Sequence, residues 1–441
     1  MSVDRRLGIW MCTALVVGNM IGSGIFLLPA SLAPFGMNSV LAWLATSAGA
    51  ILLACVFSGL SRAFPEAEGP YAYVRLAFGD LAAFVVAWGY WVAIWVGNAA
   101  LVTGTVSYLG AIFPALTGNV ALNATITIAA VWLFTAVNIR GVRTAGVVQL
   151  VTSILKVLPL LAVAALGLFL LFTHDQRLVW HAANATPISA GGITAAAALT
   201  LWALLGFESA SVAAQRVVDP QRTIPRATII GCLVVAAIYI LSCTSVMLLT
   251  PAAELAKSGA PFADVATRFW GSGAGQALAV FAAISGFGAL NGWILLQGEL
   301  PLQLARRGVF PPLFGKLSRF QTPAGGLVIS SLLVTALVLM NYGKSLVEIF
   351  TFMILLSTTA TLVLYLACAC ACLVLMRRGL LGARGAHTGW LAAAALLGGL
   401  YALWTLYGAG PDALLWGLVL LVLSVPVYFL MKRTAAPVPA S

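Results

Sequence analysis

The feature that most constrains this chain is an apolar run, from about Leu7 to Ala33, interrupted at its centre by Gly18-Asn19-Met20-Ile21-Gly22-Ser23-Gly24. The run has the roughly 20 apolar residues that a membrane-spanning helix needs. Three glycines near its midpoint nevertheless lower its helix propensity there. Because irregular backbone at membrane depth is tolerated only where it lines a cavity or is buried in protein, the pattern predicts a spanning helix that is broken at a site.

A second interruption falls much later in another apolar stretch, at Trp202-Ala203-Leu204-Leu205-Gly206-Phe207-Glu208-Ser209-Ala210. Two interrupted helices at corresponding places in the halves of a polytopic protein are the best sequence-level indication of a transporter binding site. The pair of breaks therefore predicts a secondary transporter.

Composition excludes several other classes of protein. The 441 residues are 62% hydrophobic and only 8% charged, whereas soluble domains carry about 25% charged residues. The apolar runs are continuous rather than alternating, which favours an all-α membrane bundle over an outer-membrane barrel. The net charge of +11 is dispersed through loops without an aromatic-rich basic module, so we expect no nucleic-acid partner.

No arrangement typical of an enzyme is found. The seven cysteines lie in apolar segments without a CxxC pair, as small buried hydrophobic residues do. The sequence has no nucleotide-binding loop, metal cluster or nucleophile constellation. We therefore expect no enzymatic activity, no cofactor and no metal.

Hydropathy predicts about twelve spans. Their approximate extents are 8–33, 39–61, 80–109, 119–138, 145–172, 190–215, 227–249, 274–299, 325–341, 346–376, 389–408 and 412–431. With a cytoplasmic N-terminus, eighteen of the 23 Lys and Arg residues fall on the cytoplasmic side and four outside, leaving Lys156 within a span. The positive-inside rule predicts a multi-pass protein of the cell (inner) membrane with both termini in the cytoplasm.

The two breaks fall in the first helix of each of two five-helix sets. Because each set has an odd number of spans, the sets insert with opposite orientation, which predicts a five-plus-five inverted repeat. We assign residues 8–172 to the first repeat, 190–376 to the second and 389–431 to two additional helices. All belong to a single transmembrane domain, 1–441.

Broken helices free backbone groups that can hold a ligand. A half-helix starting near Ile25 would direct its positive dipole end at the gap, which suits a carboxylate. The carbonyls that end the preceding half-helix, and those around Ala203, Leu205 and Gly206, suit an ammonium group. Together they predict a site for the zwitterionic head of an amino acid. The alternative is close packing between glycine-rich helices.

Two charged residues lie within the predicted spans. Glu208 stands beside the second break, where an acid could recognise a cation, bind a proton or act in gating. Lys156 lies mid-span, where its ammonium could replace a structural sodium ion or carry a proton. Packing roles for both residues remain alternatives.

Two tryptophans lie next to polar or helix-breaking positions. Trp202 or Trp293 could stack on a cationic side chain, which is worth about 0.5–2 kcal/mol. The remaining tryptophans considered are assigned to the interfacial belt: Trp10, Trp43, Trp180, Trp390 and Trp416.

Polar residues recur on one side of two spans. The third span carries Tyr90, Ala93, Asn98 and Leu101 at helical spacings. Ser357 and Tyr365 share a face of the tenth. Asn98 and Ser357 could bind a substrate head or a neighbouring helix.

Three motifs resemble those of the amino acid–polyamine–organocation transporters. They are Gly18-Asn19-Met20-Ile21-Gly22-Ser23-Gly24-Ile25-Phe26, Gly69-Pro70-Tyr71-Ala72-Tyr73 and Gly206-Phe207-Glu208-Ser209-Ala210. Within that superfamily the chain is most similar to the basic amino acid/polyamine antiporters, arginine/agmatine antiporters above all. The resemblance runs from Gly18 to about Tyr407 and implies the LeuT-like five-plus-five fold.

The resemblance also implies roles for individual residues. It implies that the substrate head is held by Asn19, Ile21, Ser23 and Gly24. It implies that Trp293 stacks on a guanidinium surrounded by Ala93, Asn98, Leu101 and Ser357. It implies an outer gate at Trp202, a second gate formed by Tyr90, Glu208 and Tyr365, and a pH-responsive position at Tyr71.

The chain departs from the antiporter pattern at Ala203, where serine is expected, and at Leu101, where methionine is expected. Lys156 is the weightiest departure, because the antiporters resembled have a small apolar residue there, whereas proton-coupled members and some other exchangers of the superfamily carry lysine. We therefore expect exchange of an arginine-like amino acid for an agmatine-like amine. The alternative is a proton-coupled symporter using Lys156 or Glu208, for neutral amino acids as well. The expected partners are the substrate, membrane lipid, protons and, as one arrangement, a second copy of the chain.

Overall fold

The computed structural model describes residues 8–64, 69–116, 118–141, 145–175, 177–178, 186–207, 217–341, 343–381 and 386–434. Within these ranges the chain is helical, as its continuous apolar runs predict. The α-helices are α1 (Ile9–Met20), α2 (Leu28–Leu32), α3 (Met37–Ala63), α4 (Pro70–Phe78), α5 (Asp80–Ile112), α6 (Val120–Ile139), α7 (Ala145–Phe172), α8 (Ala190–Leu204), α9 (Pro220–Leu249), α10 (Ala252–Leu255), α11 (Pro261–Trp270), α12 (Ser272–Arg306), α13 (Ala324–Met340), α14 (Leu346–Arg377), α15 (Ala386–Gly408), α16 (Pro411–Val422) and α17 (Ser424–Thr434).

The predicted spans correspond to helices. Among the described residues, nine helical stretches are long and apolar enough to cross a membrane. Three shorter apolar helices, α1, α8 and α13, lie in the remaining predicted spans. The prediction of an all-α multi-span protein is confirmed, and every predicted span contains a helix.

The first spanning helix is broken, but the break lies about three residues later in the chain than predicted. Helix α1 continues through Gly18 to Met20. Extended backbone follows at Gly22, then a 3-10 helix over Ser23–Phe26, so regular α-helix resumes only at Leu28 and not near Ile25. Tertiary packing overrides glycine's poor propensity, because α1 lies closely against α9.

The second break begins abruptly at the end of α8. Helix α8 ends at Leu204, and Leu205 is extended. Gly206 has a φ of +105°, a backbone conformation that residues with a Cβ rarely adopt. Residues 208–216, which include Glu208, lie outside the described residues.

Helix α5 is central to the packing that surrounds the breaks. It packs along α12 and α14, while α3 packs against α8 and α9. Both broken helices are therefore held between long, unbroken ones. The assignment of Trp43 to the membrane interface is wrong: its side chain is fully buried against Tyr239, with ring centroids 5.6 Å apart.

Candidate functional site

A cavity of about 70 Å³ lies where the two helix breaks meet. It has room for a few waters. Eight of the predicted site and gate residues line it: Tyr90, Ala93, Leu101, Trp202, Ala203, Leu205, Trp293 and Ser357. Three more lining residues belong to the predicted first break and the half-helix after it: Met20, Gly22 and Ile25. Sequence reasoning did not single out the remaining four: Ile94, Gly97, Tyr239 and Thr361.

The indole of Trp202 covers one side of this cavity. The ring lies directly against the backbone of Gly24, where even a methyl group would overlap it. It also meets the Phe350 ring edge to face, with centroids 5.7 Å apart. Trp202 therefore joins the two broken helices and α14 in the closed arrangement.

A second contact fixes the segment that follows the first break. The Tyr108 hydroxyl donates to the Phe26 carbonyl at 2.7 Å. The same oxygen accepts the Phe262 N–H at 3.2 Å. Because Tyr108 is almost fully buried, it ties the segment after the first break to both α5 and α11.

Hydroxyl groups on the cavity wall have committed their protons to backbone carbonyls. Tyr239 donates to Met20 at 3.0 Å, Ser357 to Ala93 at 2.8 Å, and Thr361 to the Ser357 carbonyl at 2.9 Å. Each hydroxyl has one proton and two lone pairs. These three groups can therefore only accept further hydrogen bonds from a ligand.

The carbonyl that ends α1 already accepts two hydrogen bonds within the protein. Met20 O accepts the Gly22 N–H at 3.0 Å as well as the Tyr239 hydroxyl. Tyr239 gives little local signal in an apolar span, although a buried tyrosine hydroxyl usually finds a partner.

The other residues expected to hold the substrate head do not line the cavity with side chains that the structure describes. Ile21 is buried at the break but does not line the cavity. The side chains of Asn19 and Ser23 lie outside what the structure describes, although their backbone is placed at the break.

Asn98 does not line the cavity either. Its side chain is buried, and its Nδ2 donates to Gln297 Oε1 at 2.7 Å. Gln297 lies on α12, one turn after Trp293, which does line the cavity. The predicted polar contact to substrate is thus a helix–helix hydrogen bond in this conformation.

Aromatic rings pack around Tyr365, which does not itself line the cavity. Tyr365 is fully buried. Its ring lies 5.1 Å from that of Phe207 and 5.4 Å from that of Phe57, measured between centroids. Of the proposed partners, Tyr90 lines the cavity, and Glu208 lies outside the described residues.

Lys156 is buried within α7, with 1% of its surface exposed. This helix packs against α9 and α12 and touches α1. Lys156 does not line the cavity. A charged group at such a position costs several kcal/mol unless compensated, which makes Lys156 a candidate functional residue.

Tyr71 lies on α4, away from the cavity. Arg307, at the end of α12, donates from Nη1 to the Tyr71 hydroxyl at 2.6 Å. Burial raises the pKa of the Tyr71 phenol, and the charge of Arg75 opposes the rise. Arg378, which follows α14, donates to the Leu76 carbonyl at 3.0 Å, so α4 connects to two long helices.

Two broken spanning helices around a buried cavity are the arrangement of secondary transporters. In the described part of the chain, no group of three or more His, Cys, Asp or Glu residues is placed to hold a metal ion. The chain belongs to the amino acid permease family, whose profile matches residues 7–431.

Several relatives of this chain have named transport activities. A putative arginine/ornithine antiporter of Bacillus subtilis is 38% identical over 76% of both chains. A cadaverine/lysine antiporter of Escherichia coli is 34% identical over 77% of this chain and 76% of its own. The putrescine transporter PotE of Haemophilus influenzae is 29% identical over 96% of this chain and 97% of its own. The protein is therefore a multi-pass membrane transporter of amino acids or amines in the basic amino acid/polyamine group, and not an enzyme.

Proposed function

We propose that the protein is an antiporter that exchanges a cationic, arginine-like amino acid for its agmatine-like amine by alternating access. One observation carries the proposal: the cavity combines the indole of Trp293 with hydroxyls that can only accept hydrogen bonds. A guanidinium or ammonium group donates several hydrogen bonds and is attracted to an aromatic face. The cationic substrates named for the relatives support the same assignment.

The proposed binding mode uses both helix breaks. The substrate carboxylate and ammonium bind the backbone around Asn19, Ile21, Ser23 and Gly24. The side chain extends towards Trp293, with Ala93, Asn98, Leu101, Ala203, Leu205 and Ser357 around it. Since the cavity has room for only a few waters, Trp202 moves off Gly24 to admit the substrate. The second gate is formed by Tyr90, Glu208 and Tyr365.

The proposed movement is a rocking of one inverted repeat (8–172) against the other (190–376), with residues 389–431 outside both. Loss of the Tyr108 contacts would accompany outward opening, because they tie the outer half of helix 1 to α5 and α11. We place the protein in the inner membrane with both termini in the cytoplasm. Exposed leucines such as Leu400 and Leu418 contact membrane lipid or, in a homodimer, a second copy.

Transport in proteoliposomes tests exchange directly. Uptake of labelled arginine and lysine is measured with vesicles that are empty or loaded with arginine, agmatine or a neutral amino acid. The proposal predicts that uptake requires an internal cationic substrate. Equal uptake into empty vesicles would reject exchange, and a preference for neutral amino acids would reject the cationic assignment.

The second candidate is proton-coupled symport, which the buried ammonium of Lys156 favours. A lysine that loses and regains its proton during the cycle could couple uptake to a pH gradient. Symport predicts accumulation into empty vesicles when the outside is acidic, whereas exchange alone does not.

A further inference from the structure

Four buried polar side chains form a continuous chain of hydrogen bonds behind the cavity wall. It runs from Asn98 on α5 through Gln297 on α12 and Ser331 on α13 to Thr135 on α6. Each of the four is at most 1% exposed. Asn98 follows Gly97, and Gln297 comes one turn after Trp293; both Gly97 and Trp293 line the cavity.

The order of donors along this chain follows from its far end. Thr135 Oγ1 donates to the Val131 carbonyl at 2.7 Å, so its single proton is committed. Ser331 must then be the donor across its 2.7 Å contact with Thr135. With that proton used, Ser331 Oγ can only accept, and it accepts from Gln297 Nε2 at 3.0 Å.

The same logic fixes the amide of Asn98. Gln297 has its nitrogen towards Ser331, so its oxygen faces Asn98 and accepts from Nδ2 at 2.7 Å. The oxygen of Asn98 is left buried without a hydrogen-bond partner. The reverse order would withdraw Thr135 from Val131 and leave both N–H groups of Asn98 unmet, in place of one N–H group and the carbonyl oxygen.

We propose that Gln297 is a positioning residue that sets the polarity of Asn98 and thereby selects substrates whose side chains end in a hydrogen-bond donor. A buried acceptor without a partner is unfavourable. An ammonium or guanidinium group that donates to Asn98 Oδ1 when the cavity opens regains that bond, whereas a neutral methyl end does not. The inference rests on the proposed function and extends it to specificity.

Adjacent serines on α13 supply a matched pair of variants. Ser331→Ala removes the group that orients Gln297. Ser330→Ala removes an equally buried hydroxyl that donates to the backbone carbonyl of Gln297 and accepts from the Trp91 indole. Ser330 is not part of the chain of side-chain hydrogen bonds from Asn98 to Thr135. Gln297→Met removes both hydrogen bonds of the Gln297 side chain, to Asn98 and to Ser331. The glutamate of Gln297→Glu, in its protonated form, can still accept from Asn98 and donate to Ser331.

The test compares dissociation constants for lysine and for norleucine, which lacks the ammonium group, using the full-length chain in nanodiscs. The wild type is expected to prefer lysine. Gln297→Met and Ser331→Ala should reduce this preference at least about tenfold, the worth of a hydrogen bond to a charged group. Gln297→Glu and Ser330→Ala should keep it within about twofold of the wild type.

Lysine preference that survives in correctly folded Gln297→Met and Ser331→Ala would overturn the positioning role. If Gln297→Met does not fold, Ser331→Ala alone decides the question against Ser330→Ala. A wild type without any lysine preference would overturn the proposed function itself, and the inference with it. This failure of the proposed function can be told apart from failure of the positioning role, because it is seen in the wild type before any variant is made.

Discussion

The indole of Trp202 rests on the backbone of Gly24, so the ends of the two broken helices meet through one ring and one glycine. A larger residue at position 24 could not coexist with this contact. The cavity beside the ring is small, about 70 Å³, with room for a few waters. We therefore expect substrate entry to depend on the position of Trp202.

The first prediction concerns this contact. Gly24→Ala should prevent Trp202 from closing, because the added methyl group overlaps the indole. Overpacking of this kind typically costs about 1–3 kcal/mol, so we expect exchange to fall about 5- to 150-fold. Proteoliposome exchange of arginine measures the effect.

Gly191→Ala is the matched control on α8, because nothing lies within 4 Å of the added methyl group. It should exchange at the wild-type rate. If Gly24→Ala also does so, Trp202 does not need this contact in the transport cycle.

The second prediction concerns Trp293. Trp293→Ala should weaken binding of arginine more than binding of a neutral amino acid of similar size. The difference expected from losing a cation–π contact is about 0.5–2 kcal/mol, or roughly 2- to 30-fold in the dissociation constant. Binding to the purified protein is measured by calorimetry.

Trp390→Ala serves as its control, because this ring is exposed at the start of α15. It should leave both dissociation constants unchanged. An equal loss of arginine and neutral ligand in Trp293→Ala would remove the stacking role and leave Trp293 as cavity wall only.

Hydropathy predicted the apolar spans and their order, because membrane spans depend on local composition. The exact length of a break depends on tertiary packing. Gly18 remains helical, since Val16 of the same helix fits closely against Gly231 of α9. No local pattern around Gly18 indicates that neighbour.

In the candidate site too, local sequence predicts some residues, whereas others depend on contacts between distant parts of the chain. Residues beside a break or at helical spacing, such as Trp202 and Leu101, could be selected from the sequence. Tyr239 could not, because its role depends on a carbonyl 219 positions earlier. The pairing of Asn98 with Gln297 likewise joins residues 199 positions apart.

The third prediction concerns pH. Burial raises the pKa of Tyr71 above its ordinary value of 10.0, so the phenol stays neutral in the folded protein at pH 5 to 8. Its contribution to stability is complete below that ordinary pKa and is lost only as the pH rises through the higher folded-state value. Tyr71→Phe should therefore leave the midpoint of any transport transition between pH 5 and 8 unchanged.

The amplitude of transport should still change in Tyr71→Phe, because Arg307 loses a hydrogen-bond acceptor. For this partly exposed contact we expect at most about 1 kcal/mol. Arginine exchange is measured from pH 5 to 8, with Arg307→Gln as a second variant of the same contact. A shifted midpoint in Tyr71→Phe alone would mean that the phenol itself titrates in that range.

The fourth prediction decides the role of Lys156. If its ammonium carries protons, Lys156→Ala should abolish uptake driven by a pH gradient while exchange continues. If the ammonium is instead a fixed charge that holds α7 in its place, removal should reduce both activities and the stability of the fold. A buried charge has lost its hydration and depends on its interactions inside the protein. Removing a charge that stabilises one conformation therefore destabilises that conformation.

Both activities are measured in the same proteoliposome preparation, with thermal unfolding of the purified variant alongside. Lys257→Ala, at an exposed position between α10 and α11, controls for the loss of one positive charge. Gradient-driven uptake that persists in a stable Lys156→Ala protein excludes the lysine as proton carrier. Since exchange needs no net proton movement, continued exchange without gradient-driven uptake would show that one cavity supports both modes and that Lys156 is required for coupling to protons.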